Sequence, residues 1–161
     1  MARHDGGYLR SAVDAQLSAG SIVHPVQFTV DRSAAMTAIK PFKPLDEKFP
    51  FDRQLGIAAA PLVLINLFTV VEPADEAGFL DAFRAAAGVI TKQPGFISMQ
   101  LHRAIGDSPT YLNYVVWEST EAVRAAFTDP AFLAKLPAYP SSVVASPHLF
   151  QKVAVPDFCT A

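Results

Sequence analysis

The chain contains the segment Asn113-Tyr114-Val115-Val116-Trp117-Glu118-Ser119, which predicts a β-strand that passes directly into a helix with Ser119 as its N-cap. Successive side chains of a strand point to opposite faces, so Asn113 and Trp117 share one otherwise apolar face with Val115 and Tyr111. A buried amide without a hydrogen-bond partner costs roughly 1–3 kcal/mol. A bound ligand is one reason for a chain to keep a carboxamide at such a place.

The sequence around this segment predicts a regular alternation of strands and helices from residue 60 onward. Apolar residues recur every second position in the strand segments and every third or fourth position in the helical ones. The predicted strands are 62–71, 96–105, 111–118 and 149–155, and the helices are 74–91 and 120–128, with a second helical segment after Asp129-Pro130. The order βαββαβ predicts an α+β, ferredoxin-like domain, in which one antiparallel sheet carries both helices on one face.

The first strand has two apolar faces. Leu62, Leu64 and Phe68 alternate with an equally apolar set on the other side of the strand. An antiparallel sheet covered by helices on one side normally presents polar residues on the other. Burying the second face against a second copy of the chain is the simplest solution, so we expect a homodimer joined through the sheets.

The N-terminal third differs from the rest in its periodicity and its proline content. It has weak periodicity, prolines at positions 25, 41, 44 and 50, a short helix predicted over 9–17 and a short strand predicted over 26–30. Phe42, Phe49 and Phe51 are too apolar for a solvated linker. We expect residues 1–58 to form an arm that packs on the domain or on a partner, and residues 59–161 to form the domain.

The composition and charge of the chain argue against a nucleic-acid partner and against membrane association. The 161 residues carry a net charge of −2 with no basic tract, so we expect no nucleic-acid partner. The longest apolar stretch, 57–71, is too short to span a bilayer, and the first twenty residues lack the apolar core of a signal peptide. We therefore expect no membrane association and a cytoplasmic location. Cys159 is the single cysteine, and closely spaced metal ligands are missing from the sequence.

Residues 62–155 resemble the antibiotic biosynthesis monooxygenase family of dimeric α+β barrels. The resemblance rests on motifs that occur in the family's order and on the expected elements. These motifs are Val63-Leu64-Ile65-Asn66, Gln93-Pro94-Gly95-Phe96, Leu101-His102-Arg103, the segment from Asn113 to Ser119, and Asp129-Pro130-Ala131-Phe132.

The resemblance implies an activity and a set of residues. The best-understood members oxidise polycyclic phenols or anthrones to quinones with O₂, without a metal or flavin, and related branches oxidise small quinols. The resemblance therefore implies a small aromatic substrate, an anthrone, polyketide phenol or quinol, and no cofactor. Asn66, Asn113 and Trp117 match positions that these enzymes use around their substrate, and we expect them to be catalytic. We expect substrate contacts from Phe68, Phe79, Phe83, His102 and Tyr111. An arginine used by some members would fall near residues 136–139, where this chain has none.

The residue types suit that chemistry. An asparagine can donate to an oxygen on which negative charge develops, and a tryptophan offers a flat surface with one N–H donor. His102 could accept the proton, since histidine titrates near neutrality.

Two other functions remain open on the same fold. A haem-degrading member would need an axial histidine on the helix after the third strand, and residues 119–139 contain none. A non-catalytic ligand-binding or stress-related protein would keep the asparagines for structural reasons. Visible absorbance and O₂ uptake separate these alternatives.

Overall fold

The computed structural model describes residues 43–160, and the helix and strand predicted within residues 1–42 lie outside this range. The chain order is α1 (Phe51–Gln54), β1 (Leu62–Val70), α2 (Glu76–Ile90), β2 (Phe96–Arg103), β3 (Thr110–Trp117), α3 (Thr120–Phe127), α4 (Pro130–Leu133) and β4 (Val143–Phe150), with 3₁₀ turns at Pro73–Asp75 and Leu136–Ala138. The strands form one antiparallel sheet in the order β2-β3-β1-β4. This arrangement confirms the ferredoxin-like α+β prediction.

Two helices have side-chain caps at their N-termini, one of them at Ser119 as predicted. Ser119 has an extended backbone, and its side chain accepts a hydrogen bond from the backbone N–H of Ala122 at 3.2 Å, which starts α3. The Asp129 carboxylate accepts from the backbone N–H groups of Ala131 and Phe132 at 2.6 and 3.3 Å, which starts α4. Local sequence therefore sets where both helices begin.

The helices cover one face of the sheet. Burial alternates strictly along β1 and β3, because successive side chains of a strand point to opposite faces. The buried face of α2 consists of Phe79, Ala82, Ala86 and Ile90, and α3 buries Thr120, Val123 and Ala126. The core therefore lies between the inner face of the sheet and these helices.

The last strand differs from its prediction. It runs from Val143 to Phe150 and pairs with β1, whereas the prediction placed it at 149–155. Pro147 made the earlier residues a poor strand candidate, because proline cannot donate a ladder hydrogen bond. It is tolerated here because β4 is at the edge of the sheet, with a neighbouring strand on one side only.

The described part of the arm lies against the outer edge of β4. The backbone N–H of Lys43 donates to the carbonyl of Ala145 at 3.0 Å. The Gln54 carboxamide binds both the N–H and the carbonyl of Leu149, at 2.9 and 3.3 Å, much as a further strand would. Phe51 is fully buried, with its ring 5.5 Å from that of Phe127. Residues 43–54 thus shield an edge that would otherwise be open to strand pairing.

The outer face of the sheet is apolar along its two central strands. Its half-buried side chains include Val63, Ile65, Leu67, Leu112, Tyr114 and Val116. Within residues 43–160, no helix has both the length and the apolar character needed to cross a bilayer.

Candidate active site

A cavity lies between the inner face of the sheet and the helices. Its space, including the open mouth, is about 590 Å³, and the centres of water-sized molecules can occupy about 50 Å³ of it. The lining residues are Leu64, Asn66 and Phe68 of β1, Met99 of β2, Asn113, Val115 and Trp117 of β3, Phe83, Ala86, Ala87 and Ile90 of α2, and Phe127, Phe132, Leu136 and Tyr139 from the segments that follow.

Two carboxamides lie side by side on the sheet wall of this cavity. Asn66 and Asn113 are direct cross-strand partners in the β1–β3 ladder, and they are the only asparagines in the chain. Each is 7 % exposed, and the Oδ1 atoms of both are buried without a hydrogen-bond partner among the described residues. Cβ atoms of directly opposed residues lie about 5 Å apart, so both amides can reach the same ligand atom.

Trp117 lies on the same wall, four residues from Asn113. Its side chain is fully buried, and its Nε1–H also lacks a partner among the described residues. The ring packs edge-on against Phe96, with 5.7 Å between centroids and an angle of 88° between planes. Packing therefore fixes the orientation of the indole before any ligand binds.

These three unpartnered polar groups set the chemistry of the cavity. The remaining walls are almost wholly apolar, and buried polar atoms are normally satisfied. Two carboxamides and an indole N–H supply neutral donors and acceptors to one space. Such a cavity suits a flat, mostly apolar ligand that carries oxygen atoms.

Tyr139 is a lining residue whose role the sequence did not predict. It follows the 3₁₀ turn Leu136–Ala138, and its ring is nearly parallel to that of Phe68, at 9° with centroids 6.1 Å apart. Burial of the phenol raises the pKa of Tyr139 well above its usual value of 10.0. Only the packing of the turn over the sheet brings this residue to the cavity.

Three residues predicted as substrate contacts do not line the cavity. Phe79 is fully buried in a neighbouring cluster with Phe68 and Tyr111. His102 is exposed and pairs with Leu112 on the outer face of the sheet, because strand parity separates it from the inner residue Leu101. The predicted role of His102 as proton acceptor therefore has no geometric basis. Phe68 and Phe83 do line the cavity, as expected.

Tyr111 belongs to a polar cluster at the end of the sheet away from Trp117. Its hydroxyl donates to the Glu76 carboxylate, and Arg103 Nε donates to Glu76 Oε1 at 2.8 Å and to the Tyr111 oxygen at 3.2 Å. Hydrogen bonds from Tyr111 and then Arg103 lower the pKa of Glu76. Burial, followed by the bond to Glu76, raises the pKa of Tyr111. This cluster joins the start of α2 to β2 and β3, so its evident role is structural.

Comparison with known families and structures identifies the domain. Residues 61–135 match the family model described as antibiotic biosynthesis monooxygenase. Residues 61–135 form an antibiotic biosynthesis monooxygenase domain. That match includes both asparagines and Trp117, and it ends just before Leu136 and Tyr139.

Solved structures share the fold of this antibiotic biosynthesis monooxygenase domain. The cofactor-independent oxygenase SnoaB of Streptomyces nogalater is 28% identical, with a TM-score of 0.55 over 62% of this chain and 99% of SnoaB. A SnoaB variant in which one asparagine is replaced by alanine is 27% identical over the same shares, with a TM-score of 0.54. A conserved protein from Methanosarcina mazei Go1, at 12% identity and a TM-score of 0.51 over 57% of this chain and 93% of its own, shares the fold alone. No curated protein sequence matches the chain.

Proposed function

We propose that the protein is a cofactor-independent monooxygenase that oxidises an electron-rich aromatic compound, an anthrone, polyketide phenol or quinol, to a quinone with O₂. The observation that carries the proposal is the pair of buried carboxamides that line an apolar cavity together with Trp117. The two Oδ1 atoms and the indole N–H have no partner among the described residues. The likeness to SnoaB, described as a cofactor-independent oxygenase, supports it.

The proposed reaction balances without a further reductant. For an anthrone, the CH₂ carbon between the rings loses a proton, and the resulting anion passes one electron to O₂. The two radicals combine into a carbon-bound peroxide, which takes up a proton and then eliminates water. The CH₂ group becomes a carbonyl that holds one oxygen atom of O₂, and the other oxygen leaves as water.

The asparagine pair can serve this reaction before and after the proton leaves. Each carboxamide has an Oδ1 that can accept from a phenol or enol O–H and an Nδ2 that can donate to the oxyanion. Losing one donor to a developing oxyanion typically costs ~3 kcal/mol of transition-state stabilisation. The apolar walls strengthen these bonds, because the low dielectric around them weakens screening. Trp117 supplies a stacking surface and one more donor.

The test is O₂ uptake by an Asn113→Ala variant with an anthrone as substrate. We expect kcat to fall by ~10²-fold, since one oriented donor to the oxyanion is lost. Tyr114→Phe is the matched control, because Tyr114 is the next residue of β3 and faces the opposite side of the sheet. Full activity of Asn113→Ala would show that the amide does not stabilise charge. A wild type that oxidises no anthrone, phenol or quinol would favour the non-catalytic ligand-binding alternative.

We further propose that two copies of the domain, residues 59–161, associate through their outer sheet faces, with the arm, residues 1–58, packing on the domain or on the partner. The apolar outer side chains of β1 and β3 support the first part. The hydrogen bonds from residues 43 and 54 to the edge of β4 support the second.

A further inference from the structure

Tyr139 is the polar residue of the cavity that the proposed reaction does not use. It projects from the segment after the Leu136–Ala138 turn, on the side of the cavity opposite the sheet. Burial raises the pKa of its hydroxyl, which in its neutral form is a hydrogen-bond donor.

Two buried rings hold Tyr139 in place. Phe68 stacks against it at 6.1 Å between centroids, and Phe79 packs against it at the same separation with the planes at 56°. Its backbone N–H donates to the carbonyl of Leu136 at 3.2 Å, and Pro140 follows. The hydroxyl is therefore positioned before a ligand binds, which reduces the entropy that ordering it would cost.

The sheet register places the polar groups in sequence along the cavity. Along β1, the position opposite Trp117 is Leu62, and the position opposite Asn113 is Asn66, four residues later. Phe68, which packs against Tyr139, follows two residues after Asn66. At about 3.4 Å per residue, the asparagines lie ~7 Å from the level of Phe68 and ~14 Å from that of Trp117. The asparagines and the ring of Tyr139 therefore flank the same stretch of the cavity, so one ligand can contact both.

We propose that Tyr139 is a specificity residue that donates a hydrogen bond to a neutral hydroxyl or carbonyl oxygen on a ring remote from the carbon being oxidised. The preferred substrate then carries an oxygen substituent on a ring other than the one that is oxidised. This inference rests on the proposed function only in taking the ligand to be an aromatic of that class.

The first test is binding, which needs no turnover. Anthraquinone and 2-hydroxyanthraquinone serve as unreactive probes, used below the pKa of the hydroxyl, with the fluorescence of Trp117, the single tryptophan, as the reporter. We expect the wild type to prefer the hydroxylated probe by about fivefold, the worth of one neutral hydrogen bond. Tyr139→Phe keeps the ring and should abolish this preference while leaving the affinity for anthraquinone unchanged. Tyr114→Phe should retain the preference.

The second test is kinetic, with anthrone and 2-hydroxyanthrone. Tyr139→Phe should raise KM for the hydroxylated substrate about fivefold and change kcat little, since the bond is made equally in the ground and transition states. An equal loss with both substrates would mean that Tyr139 only supports the structure, and no loss with either would also overturn the proposal. In the binding test, equal affinity of the wild type for the two quinones would also overturn the proposal.

The two tests separate this inference from the proposed function. Selective binding that Tyr139→Phe abolishes, without O₂ uptake by the wild type, would sustain the specificity role and refute the oxidation. If the wild type oxidises the substrate and Tyr139→Phe leaves the substrate preference unchanged, the proposed oxidation would be supported and the specificity role refuted.

Discussion

At the scale of single residues, the most informative feature is a pair of buried polar atoms that reduce the stability of the fold. Asn66 and Asn113 each bury a carboxamide oxygen without a partner among the described residues. An apolar residue of similar size would fit the surrounding walls and avoid the desolvation penalty. Natural sites that sacrifice stability for function have this character.

Asn113→Leu should therefore stabilise the protein while it lowers kcat. We expect the free energy of unfolding to rise by ~1–2 kcal/mol, because leucine removes the unsatisfied oxygen and nearly conserves volume. Urea denaturation measures the change, and Asn66→Leu is the matched comparison on the opposing strand. If both variants were instead destabilised by more than about 1 kcal/mol, the amides would have to be hydrogen-bonded within the protein.

At the scale of elements, β2 and α3 approach each other closely at their junction. Gly95, just before β2, has φ of 81°, and a Cβ added there would lie 2.5 Å from the Cβ of Ala122. Its carbonyl accepts from the backbone N–H of Glu118 at 2.9 Å. The close approach locks the start of β2 to the end of β3, next to Trp117, and so supports one wall of the cavity.

Gly95→Ala should be the more harmful of two matched glycine substitutions. Gly106 also has a positive φ, 67°, but nothing lies within 4 Å of an added Cβ. We expect Gly106→Ala to cost about 1 kcal/mol for the backbone conformation alone. Gly95→Ala should cost ~3 kcal/mol, because the added methyl also displaces α3. Equal losses in denaturant unfolding would show that the contact with Ala122 relaxes freely.

At the scale of the whole molecule, the inner face of the sheet encloses the cavity and the outer face is left apolar. A large exposed apolar surface is uncommon on a monomer and marks an interaction site. The proposed homodimer would bury this face and keep the cavity of each copy within its own sheet and helices.

Static light scattering tests this assembly. We expect a mass twice that of the 17.3 kDa chain at micromolar concentration. Leu67→Glu, on the outer face of β1, should give monomers, since an unpaired carboxylate would be buried at the interface. Ile105→Glu, at a residue that is 95% exposed, is the control and should leave the mass unchanged. A monomeric wild type would contradict the proposal.

The sequence by itself determined the elements and the faces. Periodicity and caps are local properties, so strand parity placed Asn113 with Trp117, and Ser119 and Asp129 marked the two helix starts. The last strand was misplaced because Pro147 is acceptable only at a sheet edge, and edge position is a property of the assembled sheet. Strand parity also puts His102 on the opposite face from the cavity.

Only the tertiary structure decided which side chains meet at the cavity. The pairing of Asn66 with Asn113 depends on the β1–β3 register, which joins residues 47 positions apart in the chain. Tyr139 reaches the same space because its turn packs on Phe68 and Phe79. Such contacts follow from how the layers fill their shared volume, and no local pattern in the sequence encodes that packing.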